Sequence, residues 1–195
     1  AVSRSGSNIT LYKNGVATHT ATYGTALSFG TCYFLIGVDS DNNGTNCTYS
    51  SNLGNWADGK IDEVKVYNYA RTQKQVVQDM NAGHPAVGSP VGSAVGHWKL
   101  DEGYGITAND SSPNDNDLTL SSAGWTNSGK FGKAWNGTST SWLSRADDAD
   151  FDVTSTDSYA ISLWFKSDSA NNPGAIEYLF NKASATIQGY AVYAN

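Results

Sequence analysis

The stretch Gly59-Lys60-Ile61-Asp62-Glu63-Val64-Lys65-Val66-Tyr67 is the clearest indication of fold class in this 195-residue chain. Its apolar and polar side chains alternate, which is typical of a β-strand with one face in a core. Similar short runs, each bounded by turn residues, lie at 9–11, 34–38, 98–100, 142–143, 161–165, 178–180 and 190–193. The sequence therefore predicts an all-β chain that folds as an antiparallel β-sandwich of two packed sheets.

Turn and helix signals complete the predicted layout. Asn14-Gly15, Asp58-Gly59 and Asn136-Gly137 are predicted to be tight turns, because such pairs supply the positive φ of a hairpin connection. Thr72 with Gln75 forms a capping-box pattern before apolar residues at 76, 77 and 80. We therefore expect one short helix over residues 72–81.

Composition and charge exclude several classes of function. Charged residues make up 15% of the chain, aromatic residues 12%, and the net charge is −6. The few Lys and Arg residues are scattered and form no basic stripe that could bind a phosphate backbone or an anionic membrane. Nucleic acid is therefore a poor candidate partner.

Segments that insert into or cross a membrane also have a sequence signature, and we find none. No apolar run approaches the ~20 residues that span a bilayer, and no signal peptide is evident. We expect no membrane insertion. The chain opens with Ala1 and strand-like sequence, which we interpret as a mature segment or a piece of a longer protein.

The two cysteines, Cys32 and Cys47, flank a segment rich in Asp, Asn, Gly, Ser and Thr. Two thiols without a neighbouring histidine are a weak metal signature, so this pattern favours a disulfide that staples a loop. A disulfide in turn favours an extracellular or cell-surface location.

Motifs in both parts of the chain resemble one family. Residues 59–70, followed by the predicted helix, resemble the closing segment of the laminin G-like, concanavalin A-like jelly-roll modules of bacterial surface proteins. The segments 98–103, 109–112, 130–134 and 161–166 resemble the opening half of the same family. The resemblance implies a concanavalin A-like jelly roll and an extracellular or cell-surface role.

The two halves stand in reversed order. A closing half, residues 1–82, precedes an uncharged linker at 83–96 that is rich in Gly and Pro, and an opening half follows at 97–195. The chain is therefore either the junction of two tandem repeats or a circular permutant. We expect the halves to pack as one sandwich, with 61–64 near 98–101, or to exchange between two copies.

The resemblance also implies a structural ion, which in this family ties the opening and closing halves together. The matching residues here are Asp62, Asp101, Glu102 and Asp110. Carboxylate oxygens of this kind suit calcium, which is the predicted cofactor.

Aromatic residues point to a glycan partner, because sugar rings stack on indole and phenol rings. Trp56, Trp125 and Trp142 lie beside Gly, Asn or Ser and are the candidate ligand-binding residues. Trp98 and Trp164 lie within predicted strands and are assigned to the core.

Catalysis finds less support. A glycosidase needs two carboxylates across a cleft, and Asp62 and Glu63, being adjacent on a strand, are expected to point to opposite faces. If the chain is an enzyme, Glu63 and Glu102 are its candidate residues; otherwise no catalytic residue is predicted. We therefore expect a non-catalytic carbohydrate-binding or adhesion module. The alternatives are a structural repeat of a surface protein and a glycoside hydrolase of the concanavalin A-like group.

Overall fold

The structure is a computed structural model that describes residues 1–24, 32–39, 55–82, 94–122, 124–138, 140–153, 157–168, 176–183 and 189–194. Over these residues the chain forms two antiparallel sheets, one α-helix and one short 3-10 helix (Ala149–Phe151). This arrangement confirms the predicted all-β sandwich with a single helix.

The first sheet contains eight strands. In chain order these are β1 (Val2–Ser5), β2 (Asn8–Lys13), β3 (Val16–Thr22), β5 (Gly59–Tyr67), β6 (Gly96–Trp98), β9 (Trp125–Thr126), β10 (Ala134–Gly137) and β12 (Tyr159–Ser167). Their spatial order is β3-β2-β1-β12-β5-β10-β9, and β6 also pairs with β5.

The second sheet contains six strands. They are β4 (Phe34–Ile36), β7 (Thr107–Ala108), β8 (Leu118–Leu120), β11 (Leu143–Arg145), β13 (Glu177–Lys182) and β14 (Tyr190–Ala194). They run in the order β14-β13-β4-β11-β8-β7. Every strand predicted from alternation overlaps an observed strand, and β1 coincides with the strand-like sequence at the start of the chain, whereas β3 and β7 to β10 were not predicted.

The helix α1 (Gln73–Ala82) begins where the capping signal predicted. The Thr72 backbone NH donates to Gln75 Oε1 at 2.9 Å, and the Gln75 NH donates to Thr72 Oγ1 at 3.4 Å. These reciprocal bonds satisfy two backbone donors that would otherwise lack partners at the start of a helix.

Only one of the three predicted turns is correct. Asn14 and Gly15 have φ of 52° and 76° and close the β2–β3 hairpin. Gly59 instead begins β5, and Gly137 ends β10 opposite it. A Cβ on Gly137 would lie 2.9 Å from the Trp135 ring, so this glycine permits close packing rather than a turn.

Strands from both parts of the chain contribute to each sheet. In the first sheet, β5 pairs with β12, β10 and β6; in the second, β4 pairs with β11 and β13. The register places Val64 opposite Trp98. Each part of the chain therefore buries its apolar face against the other, and the described residues of the linker are limited to 94–96.

Aromatic rings fill the centre of the sandwich. Phe34 lies 4.5 Å from Phe151, 4.6 Å from Phe180 and 5.1 Å from Trp98, measured between ring centroids. Trp98 is fully buried, as predicted. Trp164 is not, because it sits opposite Asp62 on the outer face of the first sheet and is half-buried.

A groove lies beside the distal half of β12. This strand pairs with β1 only at residues 159–161, although it follows β5 as far as Ser167. After residue 161, where the pairing with β1 ends, Leu163 and Phe165 line a groove of about 430 Å³ together with Leu179 and Val192. Their apolar side chains pack against the core but remain partly exposed.

A β-bulge in β5 changes the direction of two acidic side chains. Between Asp62 and Lys65 the register with β12 shifts by one residue, and Glu63 has a φ of 52°. Glu63 Oε2 lies 3.1 Å from Lys65 Nζ and 3.0 Å from His97 Nε2, so it faces away from the core, as Asp62 does. The expectation of opposite faces was wrong, because a bulge interrupts strand alternation.

Glu63, Lys65 and His97 form a buried cluster of ion-paired and hydrogen-bonded side chains between β5 and β6. Burial by itself would raise the pKa of Glu63, but the contacts with His97 and Lys65 outweigh it and hold that pKa below its ordinary 4.5. A carboxylate with a lowered folded-state pKa stabilises the fold above its ordinary pKa. That contribution is lost as the pH falls through the lowered value.

We predict that Glu63→Gln lowers the free energy of unfolding by roughly 3–5 kcal/mol at pH 7, because it leaves the Lys65 ammonium buried without its carboxylate. Urea unfolding between pH 3 and 7 measures this effect. The difference begins to shrink below pH 4.5, and the two proteins converge once the pH has fallen through the lowered pKa of Glu63. Asp115→Asn, at an exposed position, is the control; a constant difference at all pH values contradicts the prediction.

Candidate functional site

Two of the predicted ligand-binding tryptophans come together at one end of the sandwich. The rings of Trp56 and Trp142 lie 5.4 Å apart between centroids, at an angle of 42°, and both are partly exposed. Trp56 precedes β5 and Trp142 precedes β11, so two connections from different sheets present one aromatic surface. We call this pair the tryptophan rim.

The backbone on both sides of the rim is held in place. The Trp142 NH donates to Ser121 Oγ at 2.9 Å, and the Ser121 NH donates to the Trp142 carbonyl at 2.9 Å. Next to Trp56, the Ala57 NH donates to the Gly37 carbonyl at 2.9 Å. The positions of the rings are therefore set by strand ends rather than by a free loop.

Polar groups continue from the rim along the second sheet. Asn55 Nδ2 contacts Asp39 Oδ2 at 3.5 Å, and Asn181 Nδ2 donates to Asp39 Oδ1 at 2.8 Å. The Tyr178 ring lies 5.6 Å from the Tyr193 ring, and Tyr193 is 58% exposed. Aromatic faces beside amide and carboxylate groups are the usual composition of a sugar-binding surface.

Trp125, the third predicted ligand-binding residue, has a different environment. It pairs with Trp135 across β9 and β10, and its side chain packs against the core. Its Nε1 donates to the Gly105 carbonyl at 2.9 Å. These contacts fix the loop before β7, and the structure does not bring Trp125 to the tryptophan rim.

Two of the four predicted metal ligands approach one loop, residues 129–133. Asp62 Oδ2 accepts from the NH groups of Lys130 at 2.6 Å and Phe131 at 2.9 Å, and Asp101 Oδ1 accepts from the Lys133 NH at 2.7 Å. A Cβ on Gly132 would lie 2.5 Å from Asp101 Oδ1. Glycine at this position, with a φ of 71°, lets the loop approach the carboxylate.

Asp62 is the most perturbed carboxyl group of this region. Burial raises its pKa to about 6, against the two backbone hydrogen bonds that lower it, and the nearby Glu63 and Asp101 charges raise it further. Its Oδ1 is buried and has no hydrogen-bond partner among the described residues. A cation at Oδ1 would supply the missing partner and favour the ionised form.

Glu102 and Asp110 accept hydrogen bonds from nearby backbone and amide groups, in the case of Asp110 including β6. Glu102 Oε1 accepts from the backbone NH and Nδ2 of Asn109, and Asp110 accepts from the NH groups of His97, Ser112 and Asn116. In the part of the chain that the structure describes, no three acidic, His or Cys side chains are grouped as a metal site. The four-residue set therefore remains a prediction.

The acidic run at 147–152 is held by cations. Lys182 Nζ, which is fully buried, lies 2.8 Å from Asp147 and 3.1 Å from Asp152, and Arg145 pairs with Asp148 at 2.8 Å. Asp148 also caps the 3-10 helix. These ion pairs hold the segment that follows β11 against β13. The sequence alone did not indicate this role.

The predicted disulfide falls partly outside the described residues. Cys32 is fully buried next to β4, while Cys47 lies outside the residues that the structure describes. Their pairing therefore stays a prediction.

In a comparison with known proteins, a family model matches the first part of the chain. Residues 1–77 match the laminin G family model described as the concanavalin A-like lectin/glucanases superfamily. No curated protein and no solved structure matches the chain. Of the helices described, none is long and apolar enough to cross a membrane. The resemblance to laminin G-like, concanavalin A-like modules is thus confirmed over residues 1–77, and the antiparallel sandwich is consistent with the fold of that superfamily.

Proposed function

We propose that the protein is a non-catalytic, extracellular carbohydrate-binding or adhesion module that calcium stabilises. The observation that carries the proposal is the tryptophan rim, where Trp56 and Trp142 converge from two sheets and stay partly exposed. The match to a lectin and glucanase superfamily supports the same class of ligand.

The rim suits a polysaccharide rather than a small apolar ligand. Its two rings meet at 42° and offer apolar faces to the CH groups of sugar rings. Asn55 and Asp39 extend the surface with amide and carboxylate groups that can bond sugar hydroxyls. Such a ligand would cross the end of the sandwich from Trp142 towards Tyr178.

An extracellular or cell-surface location belongs to this proposal. It is supported by the laminin G-like match, and a bond between Cys32 and Cys47 would suit an oxidising compartment. A catalytic role is less well supported, because Glu63 is already paired with Lys65 and His97, and Glu102 accepts from Asn109.

We predict that a glycan array identifies a polysaccharide fragment that binds this module, and that Trp142→Ala weakens the binding by about tenfold. The loss of one stacked indole face accounts for this magnitude. Isothermal titration with the identified fragment measures the change. Tyr104→Ala, which removes an aromatic ring that is 81% exposed, is the matched control and leaves binding unchanged.

An array on which no glycan binds contradicts the proposal and favours the alternative, a structural repeat. In that case exchange of halves between two copies would appear as a dimer whose population rises with concentration in sedimentation. Turnover of a glucan that stops in Glu63→Gln or Glu102→Gln would favour the hydrolase.

Calcium fits the pair Asp62 and Asp101. The unpartnered Oδ1 of Asp62 and the neighbouring carboxylate of Asp101 are hard oxygen donors next to the backbone of the 129–133 loop. A bound cation would link β5, β6 and this loop, and so join the two halves of the chain. Glu102 and Asp110 would not be direct ligands of this ion. Their hydrogen bonds would hold the neighbouring loops in place.

We predict that calcium raises the melting temperature of protein that has first been treated with a chelator to remove bound metal. Selective binding to the folded state at 100 times the dissociation constant adds about 2.7 kcal/mol. The double variant Asp62→Asn/Asp101→Asn abolishes the shift, whereas Asp115→Asn retains it. Differential scanning calorimetry before and after adding calcium decides, and an equal shift in all three proteins would place the ion elsewhere.

A further inference from the structure

A second aromatic surface lies on the outer face of the first sheet, away from the tryptophan rim. The register of β5 with β12 sets Trp164 opposite Asp62 and Lys166 opposite Lys60. Their neighbours Ile61 and Phe165 point inward, so these four side chains share the outer face. With residues 128–130 they line a pocket of about 250 Å³.

The indole ring of Trp164 forms the apolar wall of this pocket. It is half-buried, and Phe131 packs against it edge-on with centroids 6.5 Å apart. The Lys130 ammonium lies 4.5 Å from the Trp164 ring centroid, over its face. Lys130 is exposed, so its side chain can move from the ring to meet an anion at low cost.

Three lysines, Lys60, Lys130 and Lys166, line this pocket together with one carboxylate, Asp62, although the whole chain carries −6. Lys60 is paired with Asp168. Over the described residues, Lys130 and Lys166 have no carboxylate partner. Lys60 lies directly opposite Lys166 on the neighbouring strand, an arrangement of like charges that destabilises a sheet, and Asp168 neutralises only Lys60. A ligand anion would neutralise Lys166 and Lys130.

We propose that this pocket binds an acidic sugar, with Trp164 stacking on the ring and Lys130 and Lys166 pairing with its carboxylate. The indole face selects a ring that carries CH groups, and the two ammonium groups select a charged ring over a neutral one. The negative net charge of the chain opposes a densely charged polyanion such as nucleic acid. A uronate, with one charge per sugar, fits both conditions.

This site is independent of the function proposed for the tryptophan rim, with which its pocket shares no lining residue. Binding of a neutral glycan at the rim and of a uronate here are therefore separate events. Each can fail without the other.

The test is an NMR titration of protein that carries ¹⁵N-labelled tryptophan, with chelator present so that no divalent cation bridges the ligand to Asp62. The probes are tetragalacturonate, its methyl ester and a hyaluronan tetrasaccharide. We expect at least one acidic probe to shift the indole signal of Trp164, which Trp164→Phe assigns. The methyl ester keeps the sugar rings without their charge and binds at least tenfold more weakly.

Matched variants separate the pocket from general charge. Lys130→Gln/Lys166→Gln weakens acidic-sugar binding about tenfold, while Lys13→Gln/Lys74→Gln, which removes the same charge from exposed positions, changes it less than twofold. Trp164→Leu abolishes binding. The proposal is overturned if neither acidic probe moves the Trp164 signal at 10 mM, if the ester binds equally, or if sodium sulfate alone reproduces the shift at the same affinity.

Discussion

The sandwich is organised around the pairing of β5 with β12. β5 lies inside the first sheet and hydrogen-bonds to β12 on one side and to β10 and β6 on the other, all of which come from the second part of the chain. Without these partners its apolar side chains Ile61, Val64 and Val66 would face water. Since burial of such surface drives folding, neither part of the chain has a complete core alone.

The bulge at Glu63 gives this central strand its polar chemistry. It places two consecutive carboxylates on the outer side, where regular alternation would bury one among apolar side chains. Asp62 then organises the 129–133 loop, and Glu63 meets Lys65 and His97. The desolvation of these charges is costly, so the bulge is tolerated only because each carboxylate finds donors there.

The two aromatic surfaces have different structural origins and different charge. Trp56 and Trp142 stand on connections at the end of the sandwich and adjoin amides and a carboxylate. Trp164 stands on a strand and adjoins lysines. The first setting suits hydroxyl groups and the second suits anions, so the sandwich carries two chemically distinct surfaces.

Alternation and capping are local properties, so the amino-acid pattern alone predicted the all-β class, the helix and the long strands other than β3. The same pattern also indicated where Trp164 lies, although that residue was assigned to the core. Ile161, Leu163 and Phe165 alternate along β12 and share its inner face, which leaves the tryptophan on the outer face. Two- and three-residue strands such as β7 and β9 are too short to show a period. The approach of Trp56 to Trp142, the structural role of Trp125 and the bulge at Glu63 come from the three-dimensional fold. Each depends on contacts between segments far apart in the chain, which no local pattern encodes.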